Sequence, residues 1–172
     1  MAQIRDPRVA LRRLLVAVAV VGAIVVPVRP SAVEGSDTHV AATAAVRGHW
    51  GQVLGQLDRR RARAFARGDV AALSAVYRAG SVVLRRDRAA LRGYVERDLS
   101  VRGARFRLLD VAVRRARPEA VVLRVVDRLR PSTVRGNGVR LPLPRDRPTV
   151  HRVVLARSQG EWRIAAVDAR SG

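Results

Sequence analysis

The hydrophobic positions of the chain change period between its two halves. From about residue 50 to 67, apolar residues recur every three or four positions, which predicts an amphipathic helix. The pair Gly68-Asp69 predicts a turn, because glycine tolerates the left-handed conformation that ends a helix and aspartate caps the next one. We expect that second helix over roughly 70–77. An extended piece over 81–84 and a third helix capped by Asp87 would follow.

In the C-terminal half, apolar residues alternate with polar ones, as expected for strands that cover a core with one face. Segment 121–130 shows this most clearly, since its even positions carry most of its arginines. Segments 149–157 and 162–168 continue the alternation, and Ser158-Gln159-Gly160 predicts a hairpin turn between them. Residues 131–148 are long for a plain loop, so they form either a mobile rim or a short hairpin.

The N-terminal 29 residues resemble an export segment. Several arginines precede an uncharged apolar run from Leu14 to Val28, which is the layout of a signal peptide or signal anchor. The run is shorter than the ~20 residues that comfortably span a bilayer, but the residues after it offer poor cleavage sites. We therefore expect an uncleaved anchor, with residues 30–48 as a linker and 49–172 as one domain outside the cytoplasm; a secreted protein is the alternative.

The composition constrains the partners of this domain. The chain has 172 residues, 34 basic against 14 acidic, and a net charge of +20. Every basic residue is arginine, which a GC-rich genome explains, but the excess over acids favours anionic partners such as an envelope polymer or lipid. Nucleic acid is not expected, because aromatic residues make up only 3% of the chain and cannot form a stacking platform. Cysteine is absent, so no disulfide stabilises the fold.

Two short motifs carry a family resemblance. The first is Ala66-Arg67-Gly68-Asp69 followed by Leu73 and Tyr77, and the second is Glu161-Trp162-Arg163-Ile164. In this order, over residues 50–169, they resemble the SnoaL-like, ketosteroid-isomerase-like superfamily, also named after the nuclear transport factor. The resemblance implies an α+β fold in which a cone-shaped, curved antiparallel sheet packs on three N-terminal helices around an apolar pocket. The signal or transmembrane helix predicted from the N-terminal pattern would precede this fold.

The chain departs from the family at one place that bears on chemistry. Members commonly carry an acidic residue just after the tyrosine of the second helix, where this chain has Arg78-Ala79-Gly80-Ser81. The resemblance therefore supplies no carboxylate there. The side chains expected in the core and along the pocket wall are Tyr77, Tyr94, Leu123, Val125, Trp162 and Ile164.

Strand alternation places three polar side chains on the apolar faces: Asp127, His151 and Asp168. A carboxylate in an apolar pocket has its pKa raised, and a nearby imidazole could share its proton in general acid–base catalysis. The alternative is that the two aspartates pair with arginines and that the histidine is a structural core residue. Neither a metal nor another cofactor is expected, because the three histidines lack ligand spacing.

These observations leave three functions open. The first is a membrane-tethered accessory module that binds a protein partner, a second copy of itself or a small ligand without catalysis. The second is an isomerase, dehydratase or hydrolase that uses Asp127 and His151. The third is an arginine-driven binder of an anionic polymer or lipid.

Overall fold

The computed structural model describes residues 37–144 and 146–170. Two α-helices and a short 3-10 helix come first, namely α1 (Asp37–Arg67), the 3-10 helix (Ala71–Ala75) and α2 (Val82–Val95). Seven strands follow: β1 (Ser100–Arg102), β2 (Phe106–Arg117), β3 (Ala120–Leu129), β4 (Ser132–Gly136), β5 (Val139–Leu143), β6 (Thr149–Ser158) and β7 (Glu161–Arg170). The expected α+β class, with helices before antiparallel strands, is confirmed.

The strands form two antiparallel sheets. Strands β2, β3, β6 and β7 are neighbours in that order in a four-stranded sheet, whereas β4 pairs with β1 and β5 in a three-stranded sheet. The single sheet expected from the sequence is thus divided. Pro131 lies two residues after the end of β3 and has no amide hydrogen to continue the ladder, so the chain leaves the first sheet there.

The expectation of three helices is corrected to two α-helices and one 3-10 turn. Gly68 has φ +71° and closes α1, and the Ala72 amide donates to Asp69 Oδ1 at 3.0 Å, as the sequence predicts. The following segment is then held at the edge of β7, since Arg78 N donates to the Ile164 carbonyl and Ile164 N to the Val76 carbonyl. Between the turn at Gly68-Asp69 and this contact with β7, the chain has room for only one short 3-10 helix.

The start of α2 also differs from the prediction. Ser81, not Asp87, caps this helix by accepting a hydrogen bond from the Leu84 amide at 3.2 Å. The predicted extended piece over 81–84 is wrong, because the serine cap overrides the strand preference of the two valines that follow it. Asp87 consequently lies inside the helix, with its side chain free to face the interior of the domain.

Helix α1 begins at Asp37, within the segment predicted as a linker. Residues 45–49 of this helix are exposed, and burial begins at Trp50, where the predicted domain begins. The predicted export segment lies outside the described residues, so its membrane role stays a prediction. Over residues 37–144 and 146–170, no helix is both long enough and apolar enough to cross a bilayer.

Residues 131–148 contain a hairpin, which settles the choice left open by the sequence. Strands β4 and β5 are joined through Asn137 and Gly138, both with positive φ, as tight hairpin turns require. Gly136 approaches β1 closely, because a Cβ placed there would lie 1.9 Å from the Asp98 carbonyl oxygen. No larger residue fits at this position without moving the backbone.

The core lies between the helices and one face of the four-stranded sheet, called its inner face below. Leu73, Leu91, Leu123 and Leu155 are fully buried in one continuous apolar cluster. Trp50 meets Trp162 edge to face at 5.1 Å between ring centroids, which joins α1 to β7. The apolar stripe of α1 predicted from the sequence therefore packs on the sheet.

Truncation of Leu123 to alanine should lower the free energy of unfolding by about 2 to 5 kcal/mol, because it leaves a cavity in the centre of the sheet's inner face. The control is Leu109→Ala, since Leu109 is 44% exposed and should lose far less. Urea denaturation followed by circular dichroism measures both. Equal losses in the two variants would contradict the assignment of the core.

Candidate functional site

The inner face of the four-stranded sheet and the two α-helices enclose a cavity of about 160 Å³. Most of its wall is apolar, formed by Leu54, Leu57, Val76, Val83, Phe106, Leu108, Val125, Val153, Ile164 and Val167. The polar side chains that interrupt this wall are Asp58, Arg61, Tyr77, Arg86, Asp87, Asp127 and His151. An apolar cleft with a few converging polar groups is the usual form of a small-molecule site.

Two of these side chains come from neighbouring strands. Asp127 on β3 and His151 on β6 are 9% and 6% exposed, and His151 Nε2 lies 3.4 Å from Asp127 Oδ1. Val125 is directly opposite His151 in the register, so the imidazole reaches diagonally to the carboxylate on the same face. His151 Nδ1 is buried and has no hydrogen-bond partner in the structure. Nε2 is therefore the imidazole nitrogen that faces the carboxylate.

A third acid, Asp58, enters the cavity from α1. Its Oδ2 accepts a hydrogen bond from the Phe106 amide at 3.1 Å, whereas its Oδ1 is buried without a partner. Burial raises the pKa of Asp58 to about 6, although the positive charge of Arg61 and the Phe106 hydrogen bond act in the opposite direction. The negative charge of Asp127 contributes a smaller increase. Asp58 thus exchanges its proton near neutral pH.

Arg61, Asp87 and Tyr77 form a polar cluster beside these acids, in which Tyr77 is buried and the other two are half-buried. The Arg61 guanidinium donates to both carboxylate oxygens of Asp87, at 2.6 and 3.2 Å, and the Tyr77 hydroxyl donates to Asp87 Oδ2. Burial alone would lower the pKa of Arg61, but the carboxylate of Asp87 raises it above its ordinary value. Burial raises the pKa of Tyr77, and Asp87 adds to that effect. The cluster therefore keeps a fixed ion pair and a neutral phenol in the wall.

The structure brings together two of the three candidate residues predicted from the sequence. Asp127 and His151 share the cavity, but Asp168 is exposed and pairs with Arg152 at 3.1 Å on the opposite face of the sheet. The alternation breaks at a bulge in β7, where Val154 pairs with Ala166 but Leu155 pairs with Ile164. One extra residue reverses the facing of all residues beyond it, which turns Asp168 outward.

Only some of the residues predicted to form the pocket wall line the cavity. Tyr77, Val125 and Ile164 line the cavity. Tyr94, Leu123 and Trp162 lie elsewhere: the tyrosine packs edge to face on Phe65, Leu123 is fully buried in the core, and Trp162 packs on Trp50. Leu123 and Val125 are on the same face of β3, but only Val125 is close enough to line the cavity.

Sequence reasoning missed Asp58, Arg61 and Asp87. A signal for the first two was present, because Asp58 and Arg61 follow Leu54 and Leu57 at the helical spacings of three and four that mark the buried stripe. Charged residues on an apolar stripe indicate a partner or a site. Asp87 was missed because the sequence analysis assigned it as the cap of a helix. Within the described ranges, no group of histidine and acidic side chains is arranged to hold a metal ion.

No protein-family model matches the sequence, and no curated protein is significantly similar to it. Among solved structures, the intermembrane space region of the chloroplast protein ARC6 aligns with a TM-score of 0.53 at 12% identity, over 81% of this chain and all of that one. This likeness shows a shared fold and nothing about activity.

Two further structures align with lower TM-scores. The protein Aln2 from a Streptomyces species gives a TM-score of 0.47 at 17% identity, over 71% of this chain and 90% of that one. A protein from Novosphingobium aromaticivorans, described as NTF2-like with a cystatin-like fold, gives 0.45 at 17% identity, over 78% and 89%. The second description names the superfamily that the sequence motifs resemble; scores below 0.5 support nothing further.

Replacement of Asp58 by asparagine should stabilise the protein at neutral pH. A carboxyl whose pKa is raised by folding costs stability once it ionises, so the cost is absent below pH 4 and complete above pH 6. The expected gain at pH 7.5 is up to about 3 kcal/mol, falling towards zero at pH 4. Thermal unfolding of both proteins across this range measures it. If the Asp58→Asn protein were less stable than the parent at every pH, folding would not raise the pKa of this carboxyl.

Proposed function

We propose that the cavity binds a small, mostly apolar molecule with a carbonyl or hydroxyl group, and that His151 and Asp127 transfer a proton to or from it. The protein is then an isomerase or a dehydratase. The observation that carries the proposal is the buried contact between His151 Nε2 and Asp127 Oδ1 inside an apolar cavity.

The cavity limits the size of the ligand. A volume of about 160 Å³ suits a molecule of roughly the size of one six-membered ring, since a 150 Å³ cavity in another protein accommodates benzene. Its aliphatic walls favour a ring or short chain without charge. The polar side chains of the lining supply hydrogen-bonding groups for an oxygen atom of the ligand.

The ionisable groups have complementary roles. Asp127 and His151 act as a pair, and the pair accepts or returns a proton at the ligand. Asp58, with its pKa at about 6, remains partly protonated near neutral pH and serves as the acid. A site with one group that accepts and another that donates a proton is what isomerisation and dehydration require. Neither reaction needs a nucleophile, so these two are favoured over hydrolysis.

This proposal promotes the second of the three functions considered from the sequence. A non-catalytic module would need no buried acid, because an uncompensated buried carboxyl costs stability without a use. The cavity contains Asp58 with one unpartnered oxygen in addition to the Asp127 and His151 pair. Three ionisable groups around one apolar space support catalysis more than passive binding.

The location of this enzyme is part of the proposal. The predicted anchor over residues 14–28 would place the domain at the outer surface of the membrane, where small apolar molecules concentrate. Protease treatment of intact cells tests this location. Degradation of residues 49–172 is expected, and protection until the cells are lysed would contradict it.

Proton transfer is measurable before the natural substrate is known. A panel of small cyclic ketones in D₂O, followed by NMR, reports exchange of the protons beside the carbonyl. The protein should accelerate exchange for at least one ketone, and Asp127→Asn should lower that rate about 100-fold or more, because the imidazole loses its oriented proton acceptor.

The matched control is Asp168→Asn, which removes an equal charge from the exposed face and should leave the exchange rate unchanged. Circular dichroism confirms that both variants are folded. A folded Asp127→Asn protein with full exchange activity, or an equal loss in the Asp168→Asn protein, would refute the proposed role of the pair.

A further inference from the structure

The outer face of the four-stranded sheet carries a dense set of arginines. Even-numbered residues of β3 and β6 and their partners on β2 and β7 point away from the cavity. On this surface we define the arginine face as six arginines and two aspartates: Arg107, Arg115, Arg117, Arg124, Arg128 and Arg152, with Asp110 and Asp168. Arg163, opposite Ala156, binds Glu161 and is left out of this set.

Four of these arginines lie directly opposite one another on neighbouring strands. Arg107 is opposite Arg128, and Arg124 is opposite Arg152. Like charges at directly opposed positions destabilise a sheet. The second pair is neutralised in part, since Asp110 binds Arg124 at 3.0 Å and Asp168 binds Arg152 at 3.1 Å. Both aspartates of the face therefore bind the opposed pair of Arg124 and Arg152, and neither binds Arg107 or Arg128.

Within the part of the chain that the structure describes, Arg107, Arg115, Arg117 and Arg128 form no ion pair. Three of them are exposed and Arg128 is half-buried. A sheet that holds opposed, uncompensated guanidinium groups gains stability from an anion that bridges them.

From these placements we infer that the arginine face binds a linear polymer of repeated phosphate groups. The charged positions run along the strand direction from Arg107 and Arg128, past Arg124 and Arg152, to Arg117. At ~3.3 Å per residue this track is roughly 26 Å long. A chain of phosphates laid along it passes guanidinium groups from three neighbouring strands, and bidentate hydrogen bonds suit that pairing.

Other occupants fit this face less well. The apolar residues between the arginines are mainly half-buried valines and alanines, and one exposed leucine, Leu109, is too small an apolar surface to insert stably into a bilayer. No aromatic residue of β2, β3 or β6 lies on the face to stack a nucleic-acid base. A second copy would place arginines against arginines. The site is on the opposite side of the sheet from the cavity, so it stands independently of the proposed enzyme activity.

The test uses the full chain in neutral detergent micelles and linear inorganic polyphosphate as the probe. The variant Arg107→Gln/Arg115→Gln/Arg128→Gln should bind the probe about 10-fold more weakly or worse, with a shallower dependence on salt. Because the opposed pair of Arg107 and Arg128 is gone, the melting temperature without polyphosphate should stay equal or rise.

The matched control is Arg47→Gln/Arg92→Gln/Arg102→Gln, which removes the same charge from exposed positions on the helices and the small sheet. It should keep most of the affinity. Equal losses in the two triple variants would overturn the inference, since net charge alone would then explain binding. Displacement of polyphosphate by phosphatidylglycerol in the micelles, or tighter binding of single-stranded DNA of equal charge, would also overturn it.

Discussion

One half-buried ion pair connects the two helices of the domain. Arg61 on α1 binds both oxygens of Asp87 on α2, and the Tyr77 hydroxyl, at the end of the segment bound to β7, completes the contact. The guanidinium also lies 4.6 Å from the centre of the Phe65 ring. Buried charges persist only when their hydrogen bonds are satisfied, so this cluster fixes how the two helices meet the sheet. The position of that meeting determines the shape of the cavity.

A fixed ion pair in the wall also sets the electrostatics of the other ionisable groups. Arg61 lowers the pKa of Asp58, yet burial outweighs it and the pKa still rises to about 6. Asp58 can therefore hold a proton in the same cavity as the ion pair of Arg61 and Asp87. Stability is given up at Asp58 for that purpose, as is common at functional sites.

The sequence predicted the features that depend on local pattern and period. The facing of Asp127 and His151 followed from strand alternation, and the turn at Gly68-Asp69 followed from the residues that such turns require. Asp168 was misplaced because a bulge has no reliable sequence signature, and one inserted residue reverses the facing of a strand. Asp87 was missed because both a cap and a buried partner are plausible uses of an aspartate near a helix start. The contact with Arg61, 26 residues away in the chain, makes Asp87 an ion-pair partner and not a cap. Tertiary contacts of this kind are not encoded in any short segment.

The two faces of the four-stranded sheet therefore differ in chemistry, with acids and a histidine around an apolar cavity inside and arginines outside. The central claim is that His151 and Asp127 act together at a ligand. Nitrogen-15 NMR of labelled histidine tests it most directly, with a small cyclic ketone added to the full chain. We expect His151 to carry its proton on Nε2 and its signals to shift with the ketone, while those of the exposed His49 stay in place. A proton on Nδ1, or ketone binding that leaves the His151 signals unchanged, would contradict the account.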